Sequence, residues 1–150
     1  MRFPVRTLLL ASVITAAGGC GTQTPEAPAA AAPASEALAS TRQLMLGITI
    51  PTSDVVFQVG VKPPADDLEW EKVEANAMAL AESGHLLMVG SRVVDQEEWM
   101  QHARQLVATA REAAEAARQK NVDAVLAAGD RIYEVCDGCH SKYMAARAGE

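Results

Sequence analysis

Residues 134–143 read EVCDGCHSKY, and three of them can do chemistry together. Cys136 and Cys139 are separated by two residues, and His140 directly follows the second. Thiols at this spacing serve as a redox dithiol, as half of a zinc site, or as the anchor of a covalently attached haem. Each chemistry makes its own demand on the rest of the chain. A redox dithiol sits at a strand-to-helix junction in a βαβ setting. A structural zinc site takes about four ligands, usually two such pairs. Haem attachment takes one cysteine for each of two vinyl groups and a histidine beside the second to ligate iron.

The elements that must position these residues are helices. No segment keeps a period of two; apolar residues recur at steps of three and four, the mark of an amphipathic helix. A first segment, about residues 35 to 50, places Leu38, Thr41, Met45 and Ile48 on one stripe, and Pro51 is expected to kink or end it. Gly60, Pro63 and Pro64 then make a loop. A second segment opens on Asp66 and Glu69, a capping pair, and carries Trp70, Val73, Ala77, Leu80, Gly84 and Leu87. After the turn GSRVVD, Asp95 and Glu98 repeat the capping pattern. The third stripe is Trp99, Ala103, Leu106, Ala110, Ala113 and Ala117, and Asn121 suits the turn that follows. The fourth segment runs from Val122 to about Arg147, with Val122, Leu126, Gly129, Tyr133, Cys136, His140 and Tyr143 on one stripe. Four such segments with short links predict an all-α, antiparallel up-down-up-down four-helix bundle. The alanines of the third stripe, with Gly84 and Gly129, imply close helix approach. With aromatics at 4% of the chain, the core lacks bulk that a cofactor could supply.

The cysteine pair thus falls on the inward side of the last helix. There is no βαβ setting, no second cysteine pair, and His85 and His102 stand alone in the sequence. The expected chemistry is haem c, one per chain, held covalently; the competing reading is a disulfide between Cys136 and Cys139. The N-terminus agrees with haem, because c-type haem is attached outside the cytoplasm. MRFPVRTLLLASVITAAGGC has Arg2 and Arg6, a short apolar run from Thr7 to Ala17, then small residues, so residues 1–19 read as a signal peptide. The run is shorter than the roughly 20 residues a membrane-spanning helix needs. AGGC is similar to a lipobox, with Ala17 where leucine is usual, which makes Cys20 a candidate for lipidation. Gly21, rather than aspartate, points to the outer membrane. Residues 20–35 are rich in Ala, Pro and Ser and read as a tether, leaving residues 36–150 as the folded domain. The chain carries −6, and loss of Arg2 and Arg6 with the leader leaves about −8. That balance excludes a nucleic-acid surface and favours basic partners.

CDGCHSKY near the chain end resembles the haem motif of cytochrome c prime and the related class II cytochromes c, with an aromatic residue, Tyr143, three after the histidine. RQLM, residues 42–45, is similar to the arginine-then-methionine motif of their first helix. The early Pro51 departs from that pattern. The resemblance covers about residues 36 to 148 and implies a four-helix bundle, thioether bonds from Cys136 and Cys139, and proximal iron ligation by His140. Some relatives form homodimers.

The sixth iron position stays open between two states. In an up-down bundle Met45 and His140 lie within about one turn of the same level, so Met45 is the candidate distal ligand. Arg42 is a candidate partner for a haem propionate, and Tyr143 for the haem edge. With Met45 bound, the expected function is electron transfer between redox partner proteins in the periplasm. With the position free, it is binding of nitric oxide or carbon monoxide. A dithiol protein without haem is the third reading. No residue pattern calls for an enzyme, and no catalytic residue is expected.

Overall fold

Helix α1 starts where Ser40 caps it. The Ser40 hydroxyl accepts from the Gln43 N–H, and the Gln43 side chain accepts from the Ser40 N–H at 2.9 Å, a complete capping box. In the computed structural model, which describes residues 36–144, α1 is continuous. It consists of Thr41–Leu44, a π-helical turn Met45–Thr49, and Ile50–Gln58. The expected signal peptide 1–19 and the tether 20–35 with Cys20 lie outside the described residues, as do residues 145–150.

Pro51 does not end this helix, and the π turn is the reason. Proline has no N–H to give, and its ring presses on the carbonyl four residues back. Here that carbonyl belongs to Gly47. The chain widens by one residue, so that the Ile50 N–H reaches Met45 O. Hydroxyls then occupy the carbonyls around the break: Thr52 Oγ1 donates to Ile48 O at 2.8 Å, and Ser53 Oγ donates to Ile50 O at 3.0 Å. The extra residue also resets the buried face. It runs Leu44, Thr49, Thr52 and Ser53, Val56, Val59, with a five-residue step across the π turn. The expected stripe of Leu38, Thr41, Met45 and Ile48 is therefore corrected. Leu38 precedes the helix and is exposed, Ile48 faces outward, and Thr41 and Met45 are half-buried at the margin.

Three further helices follow: α2 (Asp67–Leu86), α3 (Glu98–Arg118) and α4 (Val122–Tyr143). Asp66 caps α2 through the Glu69 N–H at 2.8 Å, and Asn121 caps α4 through the Ala124 N–H at 3.0 Å. Asp95 works two residues ahead of the α3 cap, accepting from the N–H groups of Glu97 and Trp99, both at 3.0 Å. Among the described residues there is no strand.

The four helices pack against each other. Contacts between their ends show that successive helices run antiparallel. Trp99 Nε1, at the start of α3, donates to Leu87 O, just past α2, at 2.9 Å. Lys120, beyond α3, pairs with Asp67 at the start of α2 at 2.7 Å. Lys142, late in α4, pairs with Glu98 at the start of α3 at 2.8 Å. Arg92 ties the ends of α1 and α2 together. It is buried, and its guanidinium donates to Ala39 O at 2.9 Å and to Leu86 O at 2.7 Å. Leu86 O is at the negative end of the α2 dipole, where a cation is favoured.

The expected stripes of α2 and α3 are buried as read, from Trp70 to Leu87 and from Trp99 to Ala117. On α4 the buried residues are Val125, Ala128, Gly129 and Ile132, while Leu126 and Tyr133 from the expected stripe are exposed. That face is rotated from the expected one by roughly half a residue step. Alanine and glycine set the spacing. A Cβ placed on Gly84 would stand 3.1 Å from Val107 Cγ2, 3.2 Å from Val107 N and 3.3 Å from Ala103 O, two of them backbone atoms. Gly84→Leu is therefore expected to lower stability by about 1–3 kcal/mol by forcing α2 and α3 apart. Denaturant unfolding followed by circular dichroism measures it, and an unchanged midpoint would contradict the close approach.

Candidate functional site

The last turns of α4 carry the cysteine motif. A helix turns about 100° per residue, so Cys139, Cys136 and His140 fall within an arc of roughly 100°. That arc starts at the buried face of α4 and ends toward α1. Both cysteines are half-buried free thiols, and His140 is exposed at the margin.

The three residues border a cleft of about 140 Å³. Its walls are Met45, Thr49 and Phe57 from α1, Trp99, His102 and Leu106 from α3, and Cys136, Cys139 and His140 from α4, with Leu87 at its end. Toward α4, α1 is in contact where Phe57 lies 3.6 Å from the Cβ position of Gly129 and where Leu126 lies 3.0 Å from that of Gly60. The cleft opens above this contact. A larger shallow depression, about 780 Å³, lies elsewhere among Glu74, Met78, Arg111, Glu112 and Arg131, and holds none of the motif residues.

Met45, Cys136, Cys139 and His140 thus border one cleft. Arg42 is exposed and does not border the cleft. Tyr143 is turned to another task. Its ring meets Trp99 edge-on, with centroids 5.1 Å apart, and its hydroxyl donates to the Asp95 carboxylate. With the Lys142–Glu98 pair, this clasps the end of α4 to the start of α3.

Burial pushes the Cys136 thiol up, and burial with the neighbouring Cys136 pushes Cys139 up to about 11. Both sulfurs are therefore protonated at neutral pH. Among the described residues, no group of three or more His, Cys, Asp or Glu side chains gathers closely enough to hold a bare metal ion.

His102 is the residue that periodicity leaves out. It borders the cleft from α3, and its Nδ1 is buried with no hydrogen-bond partner. A buried unpaired nitrogen costs about 1–3 kcal/mol. Only the fold reveals it, because the partner it lacks is a matter of tertiary surroundings. Compared with protein-family models, with curated proteins and with solved structures, the chain shows no significant match.

The clasp gives a prediction in pH. The hydrogen bond from Tyr143, then those from the Trp99 and Glu97 N–H groups, hold the Asp95 carboxyl below its ordinary value of 3.8. A carboxyl lowered by folding contributes stability above its unfolded value and loses it as the pH falls through the folded one. Asp95→Ala is expected to unfold at lower denaturant than wild type near neutral pH, with the difference shrinking below about pH 4. Unfolding midpoints across pH measure this, and a constant difference down to pH 2 would contradict the assignment.

Proposed function

We propose that this chain is a monohaem c-type cytochrome of the class II kind, which moves electrons between redox proteins in the periplasm. One observation carries the reading. The two thiols and the histidine of the CxxCH motif share one arc of a helix and border the same largely apolar cleft as Met45. Cys136 and Cys139 would hold the haem as thioethers, each S–H adding across one vinyl double bond. His140 would ligate iron from α4, and Met45 is the candidate ligand from α1. Haem supplies one-electron redox chemistry, at a raised potential when histidine and methionine are its axial ligands.

The cleft also fits such a group in its walls. Its side chains are mostly carbon and sulfur, and the Ser53 hydroxyl at its edge is taken up by Ile50 O. The volume is below the roughly 300–1,000 Å³ usual for ligand sites. A macrocycle would need more room than this, and the wall against it that is least held is α1, which packs mainly on α2 and only slightly on α4. Export and anchoring belong to the same reading. They rest on the order of leader, Cys20 and tether, and make the chain a lipoprotein of the outer membrane facing the periplasm.

The test is a haem stain on a denaturing gel of the membrane fraction after acid-acetone extraction, with mass spectrometry of the same material. The expected result is a stained band that keeps its colour and has a lipid-modified Cys20 as its first residue. Colour lost to the solvent would sink the covalent attachment, and an unmodified N-terminus beyond residue 20 would sink the anchor.

Met45 decides between electron transfer and gas binding. If it ligates iron, Met45→Leu should convert low-spin to high-spin haem and admit carbon monoxide, with a packing cost under about 1.5 kcal/mol. Met100→Leu is the control, since Met100 is half-buried but does not border the cleft. An unaltered absorption spectrum in Met45→Leu, with the fold intact by circular dichroism, would favour gas binding instead.

A further inference from the structure

We propose that the mouth of the cleft, where α1 meets α4, is the docking face for the redox partner, a protein that presents lysine or arginine side chains around an apolar centre. The proposal deepens the cytochrome reading and rests on it. The centre of the face is exposed carbon. Ile50 and Phe57 from α1 and Tyr133 from α4 border the cleft and open to solvent, Tyr133 at 65%. Leu126 stands two turns before Tyr133 on the same line of α4 and extends the group to Gly60, where its Cδ2 lies 3.0 Å from the Cβ position. Single exposed apolar residues are ordinary, whereas a contiguous group with a polar rim marks an interaction site. No large apolar side chain of α3 is exposed, so the feature belongs to the α1 and α4 side of the bundle.

Charge says what covers it. At 100° per residue, Asp137 and Asp130 stand within about 60° of the Leu126–Tyr133 line, and Glu134 about 90° from it, all on the side away from the cysteines. On α1, Asp54 follows Ile50 by one turn. All four carboxylates are exposed, and among the described residues none pairs with a cation. The two cations of α4 are turned the other way, Arg131 to Glu112 and Lys142 to Glu98, both on α3. On the α1 side the nearest are Arg42 and Lys62, at either end of the helix, and Lys62 is paired with Glu69. The face is therefore apolar at its centre and negative on both flanks. It attracts a basic protein surface and repels both a second copy of itself and an anionic lipid surface. An apolar centre of four residues suits a small, transient interface, the size at which electron-transfer partners meet.

The test measures the second-order rate of electron exchange between the haem-loaded protein and a basic cytochrome c of the mitochondrial type, used as probe, across ionic strength. Wild type is expected to react faster as salt falls. Asp130→Asn with Glu134→Gln is expected to slow the low-salt rate by about tenfold, within the range of electrostatic steering. Glu71→Gln with Glu82→Gln removes the same charge from exposed positions of α2 and is expected to leave that rate within about twofold of wild type. Leu126→Ser, or Tyr133→Ser should the first not fold, is expected to slow exchange at high salt as well, where charges are screened. Equal rates for the two charge variants would overturn the proposal, as would a wild-type rate that rises with salt or an apolar variant that matches wild type at high salt. Two other occupants have their own signatures. A dimer in sedimentation that Leu126→Ser dissolves would assign the face to a second copy. Binding of the Cys20→Ser protein to vesicles of neutral lipid, abolished by Leu126→Ser, would assign it to a membrane. Either would overturn the proposal. Wild type without a Soret band would overturn the cytochrome reading itself, an outcome distinct from a loaded protein that reduces the probe with no response to salt or substitution.

Discussion

The close approach of α3 to α2 and to α4 is the constraint on which the rest depends. Ala77, Ala110, Ala113 and Ala117 have no exposed surface, and Gly84 has no room for a methyl group. Small side chains let backbones come near, but each buries little, at about 0.8 kcal/mol per methylene-sized group. Larger side chains concentrate elsewhere: Trp70 where α2 begins, Leu80 and Ile132 along the core, Trp99 where α3 begins. The result is α3 packed closely against both α2 and α4, with α1 laid against α2. Because α1 has only a limited contact with α4, the cleft falls there, beside the end of α4 that bears the cysteines.

How much of this is legible in the sequence depends on whether the periodicity is unbroken. The faces of α2 and α3 are, because steps of three and four run their whole length with large residues at the ends. The face of α1 is not, because Leu44 to Thr49 is a step of five. No rule of threes and fours can cross a π turn. The face of α4 is read with a rotation, since alanines occur on several of its sides and do not mark which one is buried. The same division holds at the site. Cys136, Cys139 and His140 announce themselves by spacing, and Met45 by its level. Arg92 and His102 do not. Arg92 sits within a turn and is explained by the carbonyls of Ala39 and Leu86, one of them 53 residues away.

Pro51 shows how a local conflict becomes a feature of the site. A proline and the glycine four residues before it could have broken the helix. Instead the surplus residue is absorbed as a π turn, a distortion common at functional sites. Its effect is concrete. Met45 opens the turn and borders the cleft from its margin, and Thr49 closes the turn and lines the same wall. In a regular helix the residues after Met45 would be rotated by about 100° from where they now stand. The wall facing the cysteines is therefore a product of the proline.

The two walls differ in how firmly they are held. On the α4 side, the segment with Cys136, Cys139 and His140 runs between two fixed points. Ile132 is fully buried in the core, and Tyr143 is clasped by Trp99 and Asp95. Trp99 is itself fixed by its bond to Leu87 O, so the clasp reaches through α3 to the end of α2. On the α1 side, Met45 lies within a widened turn of the least tightly packed helix. A group attached to α4 would thus have its position set by the rigid wall, while a ligand from α1 would meet it from the adaptable one. Electron transfer favours a centre whose surroundings change little with charge, and gas binding favours a distal side that can give way. The rigid wall serves either function. On the proposed haem reading, what selects between them is how far the π turn Met45–Thr49, with the proline that follows it, lets Met45 reach.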